Sequence, residues 1–271
     1  MDLIPVVLVT GFFGSGKTTF LNRLLDHLRP LGQRIALVIN EFGKVNIDAH
    51  LIEQVNEPIF EVNGGSIFCT CTKVQFLKAL QAIVQSHPQF DLIIIEATGI
   101  GETTKLGEDL QDPTLINHVQ VIENICLVDA LNFPKVLQTL PAVRNQVEEA
   151  TLCVLNKIDL VSNKQLKELQ ELLVSLNNHS PIAVTSHGEI DLAGLVDINK
   201  KVYWQSQVQV KTEPPKTMES VTLITQGVFK RDSLEHFLKR LNLHRGKGLI
   251  KLEAGPYVVQ WCGGDWQFHP Y

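Results

Sequence analysis

Apolar residues along the 271-residue chain fall into two alternating patterns. Short, nearly unbroken apolar runs occur at Ile4–Thr10, Arg34–Ile39, Phe90–Ile95, Ile122–Val128, Thr151–Leu155 and Pro181–Ser186, with a weaker one beginning at Ile59. Between them, apolar residues recur at three- and four-residue spacing: Phe20, Leu21, Leu24, Leu25 and Leu28, then Phe76, Leu77, Leu80 and Ile83, then Leu166, Leu169, Leu172, Leu173 and Leu176. An unbroken apolar run suits a strand buried on both faces. The three-four spacing is one face of an amphipathic helix. Strands alternating with helices predict an α/β fold, a doubly wound and mostly parallel sheet. The first helix is expected to stop near Arg29, before Pro30 and Gly32. Others are expected at Val74–Gln85, Phe133–Leu140, Val143–Ala150, Asn163–Leu176 and Leu192–Val202.

The pattern changes after Trp204. Residues 205–219 are polar and broken by Pro214 and Pro215, as a linker would be. This predicts a main domain over 1–204 and a small α+β domain over 220–271. In the latter we expect a strand at Ser220–Phe229, a helix at Asp232–Leu241, and a hairpin of Gly248–Glu253 with Tyr257–Cys262 around Ala254-Gly255-Pro256.

Composition narrows the partners. A formal net charge of -5 and the lack of a basic run leave no electrostatic footprint for nucleic acid. No apolar stretch has the length of a membrane span, and with no basic region before a hydrophobic segment at Met1-Asp2-Leu3 a signal peptide is not expected. Five cysteines, an odd count, do not make a disulfide framework and point to a reducing cytoplasm.

The first strand runs into Gly11-Phe-Phe-Gly-Ser-Gly-Lys-Thr-Thr19, which fits G-x-x-x-x-G-K-[ST] between a strand and a helix. Glycines let backbone N–H groups wrap phosphates, and the helix that follows adds the positive end of its dipole. Gly14, Ser15, Gly16, Lys17, Thr18 and Thr19 are the cradle residues; Lys17 reaches the β- and γ-phosphates and the Thr18 hydroxyl suits Mg²⁺. The fold expectation is thereby a P-loop NTPase sheet. Asp48, in the polar stretch after the second strand, is either a ligand of the magnesium shell or attacking water, or a solvated loop carboxylate. Glu96, ending Phe90-Asp-Leu-Ile-Ile-Ile-Glu96, is the candidate carboxylate for Mg²⁺ or water, the alternative being a core strand with a capping Glu. Gly99 is placed to sense the γ-phosphate through its N–H. Lys17, Asp48 and Glu96 form the candidate catalytic set. The polar stretch Gly101–Val119 suits a mobile switch region.

Asn156-Lys-Ile-Asp159 follows a strand. A carboxylate at Asp159 can accept from N1–H and the 2-amino group of guanine, whereas adenine offers neither donor there. Asn156 and Lys157 brace that loop; the alternative for Asp159 is a helix N-cap. Ser186, in Thr185-Ser186-His187, sits where a loop would close over the base, with His187 read as a loop residue. Cys69 and Cys71 could bind a soft or borderline metal, form a redox pair, or simply pack near a helix start; two thiols alone do not close a tetrahedral site.

On Thr10–Thr19, Asn40-Glu-Phe-Gly43 with Asp48, Glu96-Ala-Thr-Gly99, Asn156–Asp159 and Arg245-Gly-Lys-Gly248, the chain resembles the CobW family of P-loop GTPases, metallochaperones or metal-insertion factors for zinc or cobalt. The resemblance implies GTP hydrolysis with Mg²⁺, Zn²⁺ or Co²⁺ handling, and a C-terminal domain that contacts a client metalloprotein or cofactor-containing protein. The family usually carries Gly-Cys-x-Cys-Cys. Here Ser66 and Phe68 stand at the first two cysteine positions, Cys69 stays in place, and Cys71 is extra. Ile39 and Lys44 stand where the family often has Glu. A site at Cys69 and Cys71 would need an outside ligand, for example across a homodimer. The expected function is a slow GTPase coupling nucleotide state to metal delivery or metalloenzyme maturation. The alternatives are a GTP-dependent switch or chaperone without transition-metal cargo, and a non-hydrolysing nucleotide-binding scaffold.

Overall fold

The computed structural model describes residues 3–41, 58–63, 70–99, 103–192, 227–240, 246–262 and 265–270. The chain divides into two compact units, Met1–Ser220 and Val221–Tyr271.

The larger unit contains strands β1 (Ile4–Thr10), β2 (Ile35–Glu41), β3 (Ile59–Asn63), β4 (Leu92–Glu96), β5 (Val119–Asp129), β6 (Leu152–Asn156) and β7 (Ile182–Val184). They form one sheet in the order β3-β2-β4-β1-β5-β6-β7, and every pairing is parallel. This is the expected doubly wound α/β sheet. Its helices are α1 (Lys17–Leu28), α2 (Thr70–Val84), α3 (Thr103–Leu110), α4 (Phe133–Leu137), α5 (Pro141–Glu148) and α6 (Asn163–Leu176).

The unbroken apolar runs follow from two-sided burial. In β1, Val6 and Leu8 pack toward α2 and α3 with Phe76, Leu80, Leu106 and Leu110. Val7 and Val9 pack on the other side with Phe20, Leu21, Leu24 and Leu25 of α1. Successive strand residues point to opposite faces, so both faces must be apolar. Farther along the sheet, Cys126, Val128, Cys153 and Leu155 pack against α4, α5 and α6.

Helix ends obey local chemistry. α1 passes into a 3-10 turn, Arg29–Leu31, and Gly32 closes it at φ 71. α6 starts on a capping box: the Ser162 hydroxyl accepts from Gln165 N, and the Gln165 side chain accepts from Ser162 N.

Within the polar stretch Gly101–Val119, Thr103–Leu110 is helical, because Leu106 and Leu110 bury against the sheet. Two expected element bounds needed revision. β5 begins earlier than expected, at Val119, and a register shift opposite Val6 and Val7 accommodates its extra residue. α2 begins at Thr70, so Cys71 is its second residue. The expected helix at Leu192–Val202 lies almost wholly outside the described residues.

The smaller unit has α7 (Arg231–Lys239) and an antiparallel sheet of β8 (Gly246–Leu252), β9 (Gly255–Cys262) and β10 (Asp265–Pro270), in the order β10-β9-β8. Leu234 and Leu238 of α7 bury with Leu252 and Val259. β10 was not expected, since its apolar alternation is only Trp266 and Phe268. Of the expected strand at Ser220–Phe229, the described part shows Phe229 bridged to Leu252.

Candidate functional site

Parallel strands deliver their carboxyl ends to one edge of the sheet, and the candidate residues collect there. β1 ends at Thr10 and the chain turns through Gly11, Gly14 and Gly16, all at positive φ, before α1 begins at Lys17. At Gly11, with φ 128, any Cβ would run into the Leu127 carbonyl of β5. Lys17 is buried, and its Nζ donates to Gly11 O at 3.0 Å and Phe12 O at 3.4 Å, spanning the loop it belongs to. Thr18 and Thr19 stand in the first turn of α1. Ser15 is fully buried, and its Oγ has no partner among the described residues.

β4 lies beside β1, with Glu96 opposite Val9 and Ala97 N donating to Val9 O at 3.0 Å. Glu96 is therefore a buried carboxylate at the strand end next to the glycine loop. Gly99 touches that loop directly, since a Cβ there would strike the Phe13 ring and backbone N. Its carbonyl accepts from Gln146 Nε2 at 3.3 Å.

β6 brings Asn156 to the same edge. Asn156 Nδ2 donates to Ser15 O at 2.9 Å, while its Oδ1 accepts from Lys157 N at 2.9 Å and Gly188 N at 3.2 Å. One buried amide thus joins the glycine loop, the Asn156–Asp159 turn and the loop after β7. Lys157 takes a left-handed conformation, φ 63, and its Nζ pairs with Asp129 Oδ2 at 2.7 Å. Asp159 is exposed, and its Oδ1 accepts from Ser186 Oγ at 2.6 Å. That hydrogen bond holds the Asp159 carboxyl below its ordinary pKa, so it stays an anion and an acceptor. Arg23 of α1 reaches the same loop, with Nε donating to His187 O at 3.0 Å and Nη2 to Glu189 Oε1 at 3.2 Å.

The structure therefore brings together Gly14, Ser15, Gly16, Lys17, Thr18, Thr19, Glu96, Gly99, Asn156, Lys157, Asp159 and Ser186 along the carboxyl edge of one sheet. Asp48 and Cys69 lie outside the described residues, and of Cys71 only the backbone, in the first turn of α2, is described. Among the described residues no group of three or more His, Cys, Asp or Glu side chains is placed to hold a metal ion. For Mg²⁺, oxygen donors at Thr18 and the buried Glu96 are the right ligand type for a hard cation.

Sequence reasoning missed three contributors. Asp129 lies opposite Asn156 in the β5–β6 register and also accepts from Leu131 N at 2.9 Å and Asn132 N at 3.0 Å. An acidic residue ending a buried strand was the available signal. Arg23 and Gln146 carry no motif, because their partners are distant in sequence.

Residues 5–184 match the family described as CobW/HypB/UreG, nucleotide-binding domain. The zinc chaperone YjiA of Escherichia coli is 29% identical over 215 residues, covering 78% of this chain and 66% of that protein. Zinc-regulated GTPase metalloprotein activator 1 of Schizosaccharomyces pombe is 29% identical over 208 residues, covering 73% of this chain and 50% of that protein. The chain thus spans from half to just under two thirds of the length of these relatives. The crystal structure of Zn(II)-bound YjiA GTPase from E. coli has the same fold, with a TM-score of 0.56, 22% identity, and coverage of 100% of this chain and 90% of that one.

Proposed function

The chain belongs to the CobW/HypB/UreG nucleotide-binding family, and from that premise we propose that it is a Mg²⁺-dependent GTP-binding protein and slow GTPase whose nucleotide state is coupled to zinc handling for client metalloproteins. The observation that carries the reading is the Asn156 amide, which ties the glycine loop at Ser15 to the turn bearing Asp159 and to the loop bearing Ser186. Phosphate cradle and base reader are thereby held as one body.

In this reading the Gly14–Thr19 backbone N–H groups and the α1 dipole bind the phosphates, and Lys17 exchanges its loop carbonyls for the β- and γ-phosphates. Thr18, with Glu96 and Asp48 directly or through water, would hold Mg²⁺, which would supply charge neutralisation at the phosphate oxygens. Glu96 and Asp48 orient the attacking water, and the Gly99 N–H faces the γ-phosphate. Asp159, kept ionised by Ser186, accepts from guanine N1–H and the 2-amino group. Lys157, anchored on Asp129, covers the base with its alkyl stem.

Cys69 and Cys71 are the proposed thiol ligands for the transferred metal. Zinc is favoured over cobalt by the names of the relatives. An outside ligand from a client or a second copy of the chain completes the site. The protein acts in the cytoplasm on metalloproteins or other cofactor-containing proteins, with domains at 1–204 and 220–271 joined by the 205–219 linker. A second reading, a GTP-dependent switch without its own metal, is favoured by Ser66, Phe68, Ile39 and Lys44.

Nucleotide binding and turnover test the first part. GTP is expected to bind in preference to ATP, with turnover abolished in Lys17→Ala. Asp159→Asn is expected to shift preference from GTP to xanthosine triphosphate, because an amide donates to the 2-oxo group that replaces the 2-amino group. Equal use of ATP by the wild type would sink the guanine assignment. Zinc competition against a chromogenic chelator tests the second part: micromolar or tighter binding lost in Cys69→Ser/Cys71→Ser supports the cargo role, and its absence leaves the switch reading.

A further inference from the structure

α5 carries two consecutive buried amides where a helix in this position would ordinarily bury apolar side chains. Asn145 is 3% exposed and Gln146 is 1% exposed, between the buried Val143 and Val147. Burying an amide is costly unless its partners are fixed. Those partners are in one place. Gln146 Nε2 donates to Gly99 O at 3.3 Å, and Asn145 Nδ2 donates to Thr104 Oγ1 at 2.9 Å. The Thr104 hydroxyl faces Glu149 Oε1 at 3.5 Å. Both the end of the Glu96–Gly99 stretch and the first turn of α3 therefore rest on side chains of α5.

On its other side Gly99 touches Phe13 of the glycine loop so closely that no side chain fits. Gly99 is thus held between the loop and Gln146, and moving either displaces it. Beside it, Thr98 Oγ1, Thr103 Oγ1 and Asn145 Oδ1 are buried without a hydrogen-bond partner among the described residues.

We propose that Gln146, supported by Asn145, is a positioning residue that sets the Gly99 stretch against the glycine loop and thereby controls GTP turnover. The inference rests on the reading of Gly11–Thr19 as a GTP cradle. Gln146 acts through the Gly99 peptide, whose carbonyl it holds.

The test uses the full chain as wild type, Gln146→Met, Gln146→Glu and Thr104→Val. Single-turnover GTP hydrolysis, equilibrium binding of GDP and of a non-hydrolysable GTP analogue, and thermal melting are measured on each. Gln146→Met keeps the volume and loses the donor. It is expected to leave GDP affinity within about twofold and to slow hydrolysis about tenfold, the scale of one lost hydrogen bond. Gln146→Glu, which sets a carboxylate against the Gly99 carbonyl, is expected to slow it further. Thr104→Val breaks the Asn145 contact from the far side and is expected to act in the same direction, about threefold. It also serves as the probe if Gln146→Met fails to fold. Folded variants with wild-type hydrolysis and a wild-type ratio of analogue to GDP affinity overturn the inference. If the wild type shows no turnover above Lys17→Ala, the hydrolytic reading fails by itself, and the affinity ratio decides. Weakened analogue binding at constant GDP binding then supports the role of Gln146, and an unchanged ratio removes it.

Discussion

Asn156 Nδ2 donates to the carbonyl of Ser15 at 2.9 Å across 141 residues of sequence. The contact is buried, and a Cβ on the neighbouring Gly16 would collide with the same amide. Asn156→Ala should leave Ser15 O, Lys157 N and Gly188 N without this partner. We expect stability to fall by about 1–3 kcal/mol and affinity to fall for GTP and GDP alike, since both ends of the site lose their tie. Urea denaturation and nucleotide titration check this; a variant with wild-type affinity for both nucleotides would remove Asn156 from the site.

Gly11 has no room for a side chain. Gly11→Ala combines a left-handed backbone at φ 128 with a clash at the Leu127 carbonyl. The expected loss is about 1–3 kcal/mol from the backbone alone, with phosphate binding impaired because the loop must shift. Thermal melting with and without GDP measures both. Gly32, at φ 71 but with open space around it, should tolerate alanine better.

Ser186 sets the titration of Asp159. Its hydrogen bond lowers the Asp159 pKa, so the folded protein favours the carboxylate; that contribution is present above the unfolded pKa and is lost as pH falls through the lower, folded pKa. Ser186→Ala should raise the Asp159 pKa toward the ordinary carboxylate range and weaken guanine binding first at acid pH. Carboxyl NMR titration of the two proteins reads the shift directly, and an unmoved Asp159 resonance would contradict the assigned cause.

Lys73 and Asp109 form an ion pair between α2 and α3, with side-chain exposures of 48% and 6%. Burial raises the Asp109 pKa against the opposing effect of Lys73. Lys73→Met removes the opposition and leaves a buried carboxylate. Because water already screens the half-exposed Lys73, we expect a loss of only about 1 kcal/mol at neutral pH. A raised acid pKa disfavours the ionised form in the fold, so stability falls as pH rises through the range between the unfolded and folded values. The destabilisation of Lys73→Met should therefore shrink in mild acid, where Asp109 is protonated. Urea denaturation at neutral and mildly acidic pH gives the comparison.

Cys126 and Cys153 face each other in register on β5 and β6, and both are buried. Burial pushes the Cys153 thiol up to about 11 and the Cys126 thiol well above its ordinary value. Both should resist iodoacetamide at pH 8 in the folded protein and react after denaturation, as peptide mass mapping would record. Rapid native labelling of either would contradict their placement.

Much of this molecule is local and was legible in the chain. The glycine loop is a contiguous spacing between a strand and a helix, and two-sided burial writes itself into unbroken apolar runs. The Asn156–Asp159 turn likewise follows its strand directly. The signal failed where the run was short, as in β10, or where a helix is held by few apolar residues, as in α3. Tertiary structure alone decided which strands are neighbours, and therefore which side chains meet. Asn156 finds Ser15, Lys157 finds Asp129, Arg23 finds the His187–Glu189 loop and Gln146 finds Gly99, none at a spacing that a helix or strand period makes visible. Hydrophobic pattern specifies which face of an element is buried, whereas a hydrogen bond between loops depends on strand order and register, which no single segment encodes.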